Sequence, residues 1–397
     1  MQIIYYFEGR MFRDGLLLIF LALLQPLLVL SQQTGIPIAH SQSPADGTPL
    51  DYSRVDSHAV KIKYKNDLRV LTKELTSPFP DDMSKSRAIF RWITENIQYD
   101  YKYYNRFYYR GRFPKAYKCR NDEQCKTREI AWEIKYVDKV LRKRKAVCLG
   151  YAMLFKKMCE LAGIQSEIVT GSVRTEYYQV GAAGSGEHAW NVVWLDSSYY
   201  LLDPTWASGG CSRDEDGKLT DFFKDFDEYY WLTPPSDFAR SHFPQEAKWA
   251  LLPGYAGDNF AANPYYLSSQ LSNLKLIAPH SGLITAKLGD TIRFKLEYPG
   301  KIQHLQINSN DFRNPYIWTW ENVSSRKKLR VQDSTALKKQ QYIRYQRSGN
   351  VYEFTYVVTS KSLYYLDLIF DTKRVMRFRI KVEEEENAAQ PNVVSPI

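Results

Sequence analysis

The chain has 397 residues, 44% of them apolar, enough for real hydrophobic cores and, by length, for two or three domains. Aromatic residues reach 15%, with 30 tyrosines, a composition that suits pleated sheet surfaces, and the formal charge of +10 favours anionic partners without specifying any chemistry. No Gly-rich phosphate loop occurs, and the six histidines are scattered rather than set at metal-ligand spacing, so neither a metal nor any other cofactor is expected.

The first element is a targeting segment, assigned to residues 1–31. Arg13 precedes an apolar run at 16–30 that ends beside Ser31, the pattern of a secretory signal peptide starting at Met1 or Met11. The run is short for a membrane span of about twenty residues, and an uncleaved anchor is the alternative. Contact with a membrane is expected only through this segment. Residues 32–56 read as a linker rich in Gln, Ser and Pro. A helix is predicted from about Asp56 to Pro78, and another from the Asp81-Asp82-Met83-Ser84 start signal through Ile97.

Residues 101–126 interleave Tyr and Phe with Lys and Arg. Such a pattern can stack on bases or sugar rings and pair with an anionic cell-wall polymer, or simply pack on its own aromatics as a surface excursion. Export argues against nucleic acid as the partner. An amphipathic helix is predicted over 127–143. Five cysteines are present, and the odd count suggests at least one thiol outside any disulfide. Cys119 and Cys125 are close enough in sequence to pair, with Cys211 as an alternative partner for either.

A helix beginning at Cys148 and closed by Gly163 comes next, then strands over 164–171, 188–195 and 199–203, the last two joined by a turn at Asp196-Ser197-Ser198. Residues 254–275 read as a second linker. Short alternating segments such as 291–296 and 351–358 predict a β-sandwich over 276–382, followed by an acidic tail at 383–397. Asn322-Val323-Ser324 fits a glycosylation acceptor in a eukaryotic secretory pathway.

The chemistry concentrates in one window. A thiol nucleophile needs a lowered pKa, a base within reach and a group that orients the base. Cys148 heads a helix, where the dipole favours thiolate and backbone N–H groups can hold an oxyanion. His188 starts one strand and Asp203 ends its hairpin partner, so the two emerge at the same sheet edge. Trp190 and Trp206 are expected to serve core and hairpin packing rather than as substrate platforms.

The run Lys145-Ala146-Val147-Cys148-Leu149-Gly150-Tyr151-Ala152, then Glu187-His188-Ala189-Trp190-Asn191, then Leu202-Asp203-Pro204-Thr205-Trp206, resembles the transglutaminase-like superfamily. Downstream, Glu228-Tyr229-Tyr230-Trp231, His242-Phe243-Pro244 and Trp249-Ala250-Leu251-Leu252 are similar to its kyphoscoliosis-peptidase and cytokinesis branch. Ala146 stands where that family usually has Gly, and the 101–126 excursion is not a general family feature. The resemblance implies an α+β papain-like transglutaminase core over 57–253 followed by an all-β immunoglobulin-like sandwich. It implies Cys148 as nucleophile, His188 as base and then acid, and Asp203 as orienter, acting on amide bonds of a protein or peptide. A cysteine protease or amidase and a protein-glutamine acyltransferase share this mechanism. The absence of calcium-loop signatures separates the chain from large calcium-dependent crosslinkers. The rival function is a non-catalytic scaffold of the same fold at the cell surface or wall.

Overall fold

The computed structural model describes residues 2–7, 10–13, 51–110, 115–182, 186–267, 274–324 and 327–383. The apolar run at 16–30, most of the 32–56 linker and nearly all of the acidic tail lie outside them. Among the described residues no helix is long and apolar enough to cross a membrane. Gln2–Phe7 and Arg10–Arg13 pair with each other, and the first of them also pairs with Lys115–Cys119. The chain divides into two compact units, one of Met1–Val173 with Ser185–Ala256, the other of Arg174–Gly184 with Gly257–Ile397.

In the first unit the single helix expected from Asp56 to Pro78 is two: α1, Ser53–Ala59, and α2, Leu68–Thr76. Asp67 causes the break. Its side chain accepts the N–H groups of Arg69 and Val70 and starts a new helix, and Asn66 before it has a positive φ of 62°. α3, Asp82–Asn96, is capped by Asp81 as the start signal predicts, and it buries Ala88, Ile89, Phe90, Trp92 and Ile93. Trp92 donates its indole N–H to the Ile62 carbonyl at 3.0 Å, which ties the α1–α2 loop to α3.

Two more helices follow. Residues Tyr101–Arg110, the start of the aromatic-basic excursion, form α4. Asn105 locks α4 in place by donating to the Leu219 carbonyl at 2.6 Å and accepting the Leu219 N–H at 3.1 Å. α5, Asp122–Lys143, starts five residues before the expected Thr127 because Asn121 accepts the Gln124 N–H and supplies the cap. The Cys119–Cys125 disulfide joins the preceding strand to its first turn, leaving Cys211 outside.

α6, Cys148–Leu161, lies at the centre of the unit, with ten of its residues buried. It packs on a four-stranded antiparallel sheet ordered His242–Pro244, Ser166–Val173, Gly186–Leu195, Ser198–Leu202. Tyr151 of α6, fully buried, donates to the Ile97 carbonyl at 2.8 Å and accepts from Ser208 at 3.3 Å. Gly150 is required by space: a Cβ there would sit 2.6 Å from that of Ala146.

The second unit holds two sheets around one apolar core. In one, Lys275–Ala278, Thr291–Glu297, Val351–Val357 and Tyr345–Ser348 run antiparallel in that order. The other is built on Lys373–Glu383, Tyr365–Phe370 and Leu305–Ser309, with Leu283–Lys287 pairing parallel to the first of these. Phe294 of one sheet meets Phe378 of the other with ring centres 5.3 Å apart, and Leu296, Phe354, Leu366 and Met376 fill the same core. Burial alternates along 291–297, as the sequence pattern predicts. The 254–275 stretch, read as a linker, contains a helix at Gly257–Ala262 and a strand at Tyr265–Tyr266 that pairs with Met376 and Arg377. Its Gly and Asn residues suggest a loop, but the buried Arg174 guanidinium gathers it by donating to the Phe260 carbonyl at 2.7 Å.

Candidate functional site

The site begins with the hairpin. Gly186–Leu195 and Ser198–Leu202 pair antiparallel through Asn191↔Leu202 and Leu195↔Ser198. The turn uses Asp196 and Ser197, both with positive φ (46° and 65°), the pair of left-handed residues a two-residue hairpin needs. This geometry returns Asp203 to the strand end that carries His188. His188 Nε2 lies 2.7 Å from Asp203 Oδ2, with both side chains buried.

Asp203 is held from every side. Its Oδ1 accepts the backbone N–H groups of Thr205 (2.8 Å) and Trp206 (3.2 Å), a local turn started by the aspartate. Its backbone N–H donates to the Tyr230 carbonyl at 3.0 Å. Burial alone would raise the carboxyl pKa. His188, by charge and hydrogen bond, and then His242 outweigh it and hold the group well below the usual carboxylate range.

His242 is a third member of this cluster, one that the sequence reading left without a role. It opens the short edge strand His242–Pro244, paired with Val173, Ser172 and Gly171. The approach requires Gly171, where a Cβ would meet the Phe243 carbonyl oxygen at 2.1 Å. His242 Nε2 sits 3.2 Å from Asp203 Oδ2, and its Nδ1 sits 2.9 Å from Ser241 Oγ. Burial drives its pKa down to about 4, against the pull of Asp203, so the ring is neutral near pH 7. A neutral ring facing a carboxylate places its proton on Nε2, so Nδ1 accepts from Ser241. The sequence signal was the His-Phe-Pro run, but nothing in its spacing ties it to Asp203, 39 residues away.

Aromatic rings wall in the imidazoles. Trp190 stacks on His188 at 6.1 Å and Trp206 tilts over it at 5.5 Å. Phe238 stacks on His242 at 4.0 Å. Trp190 and Trp206 thus have the packing role expected of them.

Cys148 is the first residue of α6. In that first turn the N–H groups of Gly150 and Tyr151 go to the Val147 carbonyl, at 2.8 and 3.4 Å, and the positive end of the helix dipole lies there. α6 is pinned to the His188 strand one turn later, where Asn191 donates to the Ala152 carbonyl at 3.1 Å. The structure therefore bonds His188 to Asp203 and sets Cys148 at the head of the helix packed on the same strand. Cys148 is 1% exposed and His188 5%, so both side chains are buried. A cavity of about 330 Å³ lies instead along the far flank of α6, lined by Met153, Lys156, Glu160, Ile134 and Val137.

One ligand atom each from His188, Asp203 and His242 lies within 4.8 Å of the others, a set that could in principle hold a metal ion. The 2.7 Å His188–Asp203 separation is that of a charge-assisted hydrogen bond, and all four acceptor positions of the carboxylate are used by N–H donors. Hydrogen bonding accounts for the whole cluster.

The transglutaminase-like superfamily is the family that matches, over residues 69–204. Similar relatives include the kyphoscoliosis peptidases of Mus musculus (31% identical over 63% of this chain and 35% of that one) and Homo sapiens (33% over 58% and 31%). Hillarin of Drosophila melanogaster is 23% identical over 51% of this chain and 23% of its own length. The chain spans about a third of the length of the two kyphoscoliosis peptidases. Among solved structures, "Crystal structure of a TGase" aligns over 43% of this chain and 36% of its own at 17% identity with a TM-score of 0.23. The red sea bream transglutaminase aligns over 83% and 58% at 9% with a TM-score of 0.21. At such scores the structural likenesses carry no weight. Residues 69–204 thus match the transglutaminase-like superfamily, and the chain is similar to the kyphoscoliosis peptidases over about a third of their length.

Proposed function

We propose that the chain is an exported thiol enzyme that cleaves or transfers at amide bonds of a protein or peptide, with Cys148, His188 and Asp203 as its triad. The observation that carries this reading is the 2.7 Å bond from His188 Nε2 to buried Asp203, which leaves Nδ1 as the nitrogen not engaged by the carboxylate. In the reaction, the Cys148 sulfur gives its proton to His188 Nδ1 and adds to the amide carbonyl carbon. N–H groups at the head of α6 stabilise the oxyanion. The C–N bond breaks as His188 returns the proton to the leaving amine, and a thioester remains. Water or a second amine, deprotonated by His188, then releases the acyl group. Hydrolysis is the preferred outcome, since no feature of the chain marks a second-amine site.

Export is supported by the apolar run at 16–30 and by the Cys119–Cys125 disulfide, which belongs in an oxidising compartment. The secreted product would act at the cell surface, where an anionic wall polymer is a second partner class. Detection of the chain with an intact residue 1–31 segment in the cytoplasm would refute export. For the second unit we propose the immunoglobulin-like sandwich class, on the strength of its two sheets around one core. An experimental structure with another strand order would remove it.

The burial of Cys148 favours one rival, a non-catalytic scaffold of the same fold. Iodoacetamide separates the two. The enzyme reading expects Cys148 to alkylate near pH 7 well ahead of a free thiol, and Cys148→Ala to abolish both labelling and amide cleavage. Labelling at the free-thiol rate, with an unchanged phenotype for Cys148→Ala, sinks it.

A further inference from the structure

We propose that His242 is a positioning residue: its neutral imidazole donates Nε2–H to the same Asp203 oxygen that holds His188, and so fixes the carboxylate and limits its pull on His188. The consequence for catalysis rests on the thiol-enzyme reading, whereas the geometry does not.

The shared oxygen is the central observation. Asp203 Oδ2 receives His188 Nε2 at 2.7 Å and His242 Nε2 at 3.2 Å, while Oδ1 is taken by two backbone N–H groups. A carboxylate that accepts two donors on one oxygen gives each a weaker bond than it would give one alone. With all four acceptor positions filled, it also cannot rotate away. Rotation of His242 is blocked as well. Ser241 Oγ lies 2.9 Å from its Nδ1, Phe238 stacks on it at 4.0 Å and Trp206 tilts over it at 4.5 Å. The edge strand that carries it can approach only because Gly171 has no side chain.

A purely structural histidine would need only a partner for its buried N–H. His242 instead takes its partner from the carboxylate that holds a second imidazole. A moderated carboxylate lets His188 take the thiol proton and still release it to a leaving amine. An undivided one would hold the imidazolium more tightly and slow that release.

The test reads the hydrogen bond directly. In the full chain, the exchange-protected His188 Nε2–H proton is followed by NMR in wild type, His242→Phe, His242→Gln and Ser241→Ala, with thermal melts to verify folding. Phe keeps the stacked shape but removes the donor, so the resonance is expected to move further downfield. Gln restores an N–H donor and should return it close to wild type. Ser241→Ala, which removes the contact that holds Nδ1, should move it part of the way. An unmoved resonance in folded His242→Phe and Ser241→Ala overturns the proposal. So do equal shifts in the Phe and Gln variants, which would mark a packing effect. If His242→Phe fails to fold, the Gln and Ala variants decide. Parallel iodoacetamide labelling of wild-type Cys148 keeps the two readings distinct. A thiol of ordinary reactivity ends the enzyme reading and leaves the NMR result standing.

Discussion

Two buried charge networks in the first unit are built as opposites. In one, a single cation holds two carboxylates: the Arg87 guanidinium, 2% exposed, donates to both oxygens of Asp56 at 2.8 and 2.7 Å and to both of Glu228 at 2.7 and 2.6 Å. Tyr52 covers it at 4.5 Å. In the other, a single carboxylate, Asp203, holds two imidazoles. Arginine does not lose its proton in proteins, and here its fork is met by two carboxylates, so the first network clamps α1, α3 and the 228–230 turn together and nothing more. The second contains groups that can exchange protons, and it leaves His188 Nδ1 outside the carboxylate's hold. The shared ion is buried in both networks, Arg87 in one and Asp203 in the other, and what separates the two is a proton that can move.

The strongest way to break this contrast is to neutralise Asp203. Asp203→Asn keeps the shape but lets the amide choose the wrong tautomer of His188. Iodoacetamide labelling of Cys148 near pH 7 should then fall by about 100- to 10,000-fold. An unchanged rate would mean that the carboxylate does no more for Cys148 than Arg87 does. Arg87→Met should act the other way, on stability rather than reactivity. It strands Asp56 and Glu228 and should cost about 3 kcal/mol in denaturant unfolding, the low end for a broken buried pair, since the Glu228 side chain is 57% exposed. Loss of Cys148 labelling in Arg87→Met that is still folded would join the two networks and erase the distinction.

The networks also differ in how far the sequence exposes them. The His188–Asp203 bond was legible because the hairpin turn fixes which strand ends meet, and the start of α6 at Cys148 because the helical pattern marks it. His242 was not, because an edge strand of three residues carries no periodicity and its register depends on a missing side chain at Gly171. Arg87 was hidden for a similar reason. Its partners lie 31 and 141 residues away, and a charged residue within a helix reads as solvated. The two-unit division was half visible. Alternation marked the sandwich strands, but the buried contacts that draw Arg174–Gly184 into the second unit pass through backbone carbonyls, which leave no trace in composition.

The pH dependence gives a smaller but sharper separation. His242 in the folded chain stays neutral down to about 4, whereas its unfolded counterpart takes a proton near 6.5. Between those values the unfolded state binds more protons, so the contribution is fully present above pH 6.5 and is lost as pH falls toward 4. The loss is about 3 kcal/mol if the unfolded state is unstructured. Asp203, whose pKa is depressed on folding, contributes in the same direction at still lower pH. His242→Gln should remove the pH 6.5–4 window from a stability–pH profile. Arg87→Met should lower the whole profile and leave that window in place. A His242→Gln protein with wild-type acid sensitivity would show that some other group titrates there.

The smallest expected effect comes from a feature outside both networks. The Cys119–Cys125 disulfide closes a loop of sequence separation 6, and constraining so short a loop in the unfolded chain stabilises by about 2 kcal/mol. Replacing both cysteines by serine should lower stability by that amount and loosen the start of α5. It should change neither Cys148 labelling nor the His188 resonance. The single variant Cys119→Ser is more informative. It leaves the Cys125 thiol without its partner, and Cys211 was the other candidate for pairing. If a Cys125–Cys211 bridge appeared on peptide mapping, the 115–125 segment would have to reach the 209–213 strand, and α4, anchored to Leu219 through Asn105, would shift with it. With Asn105 holding α4 in place, Cys125 should stay reduced and label as an ordinary thiol while Cys148 keeps its wild-type rate.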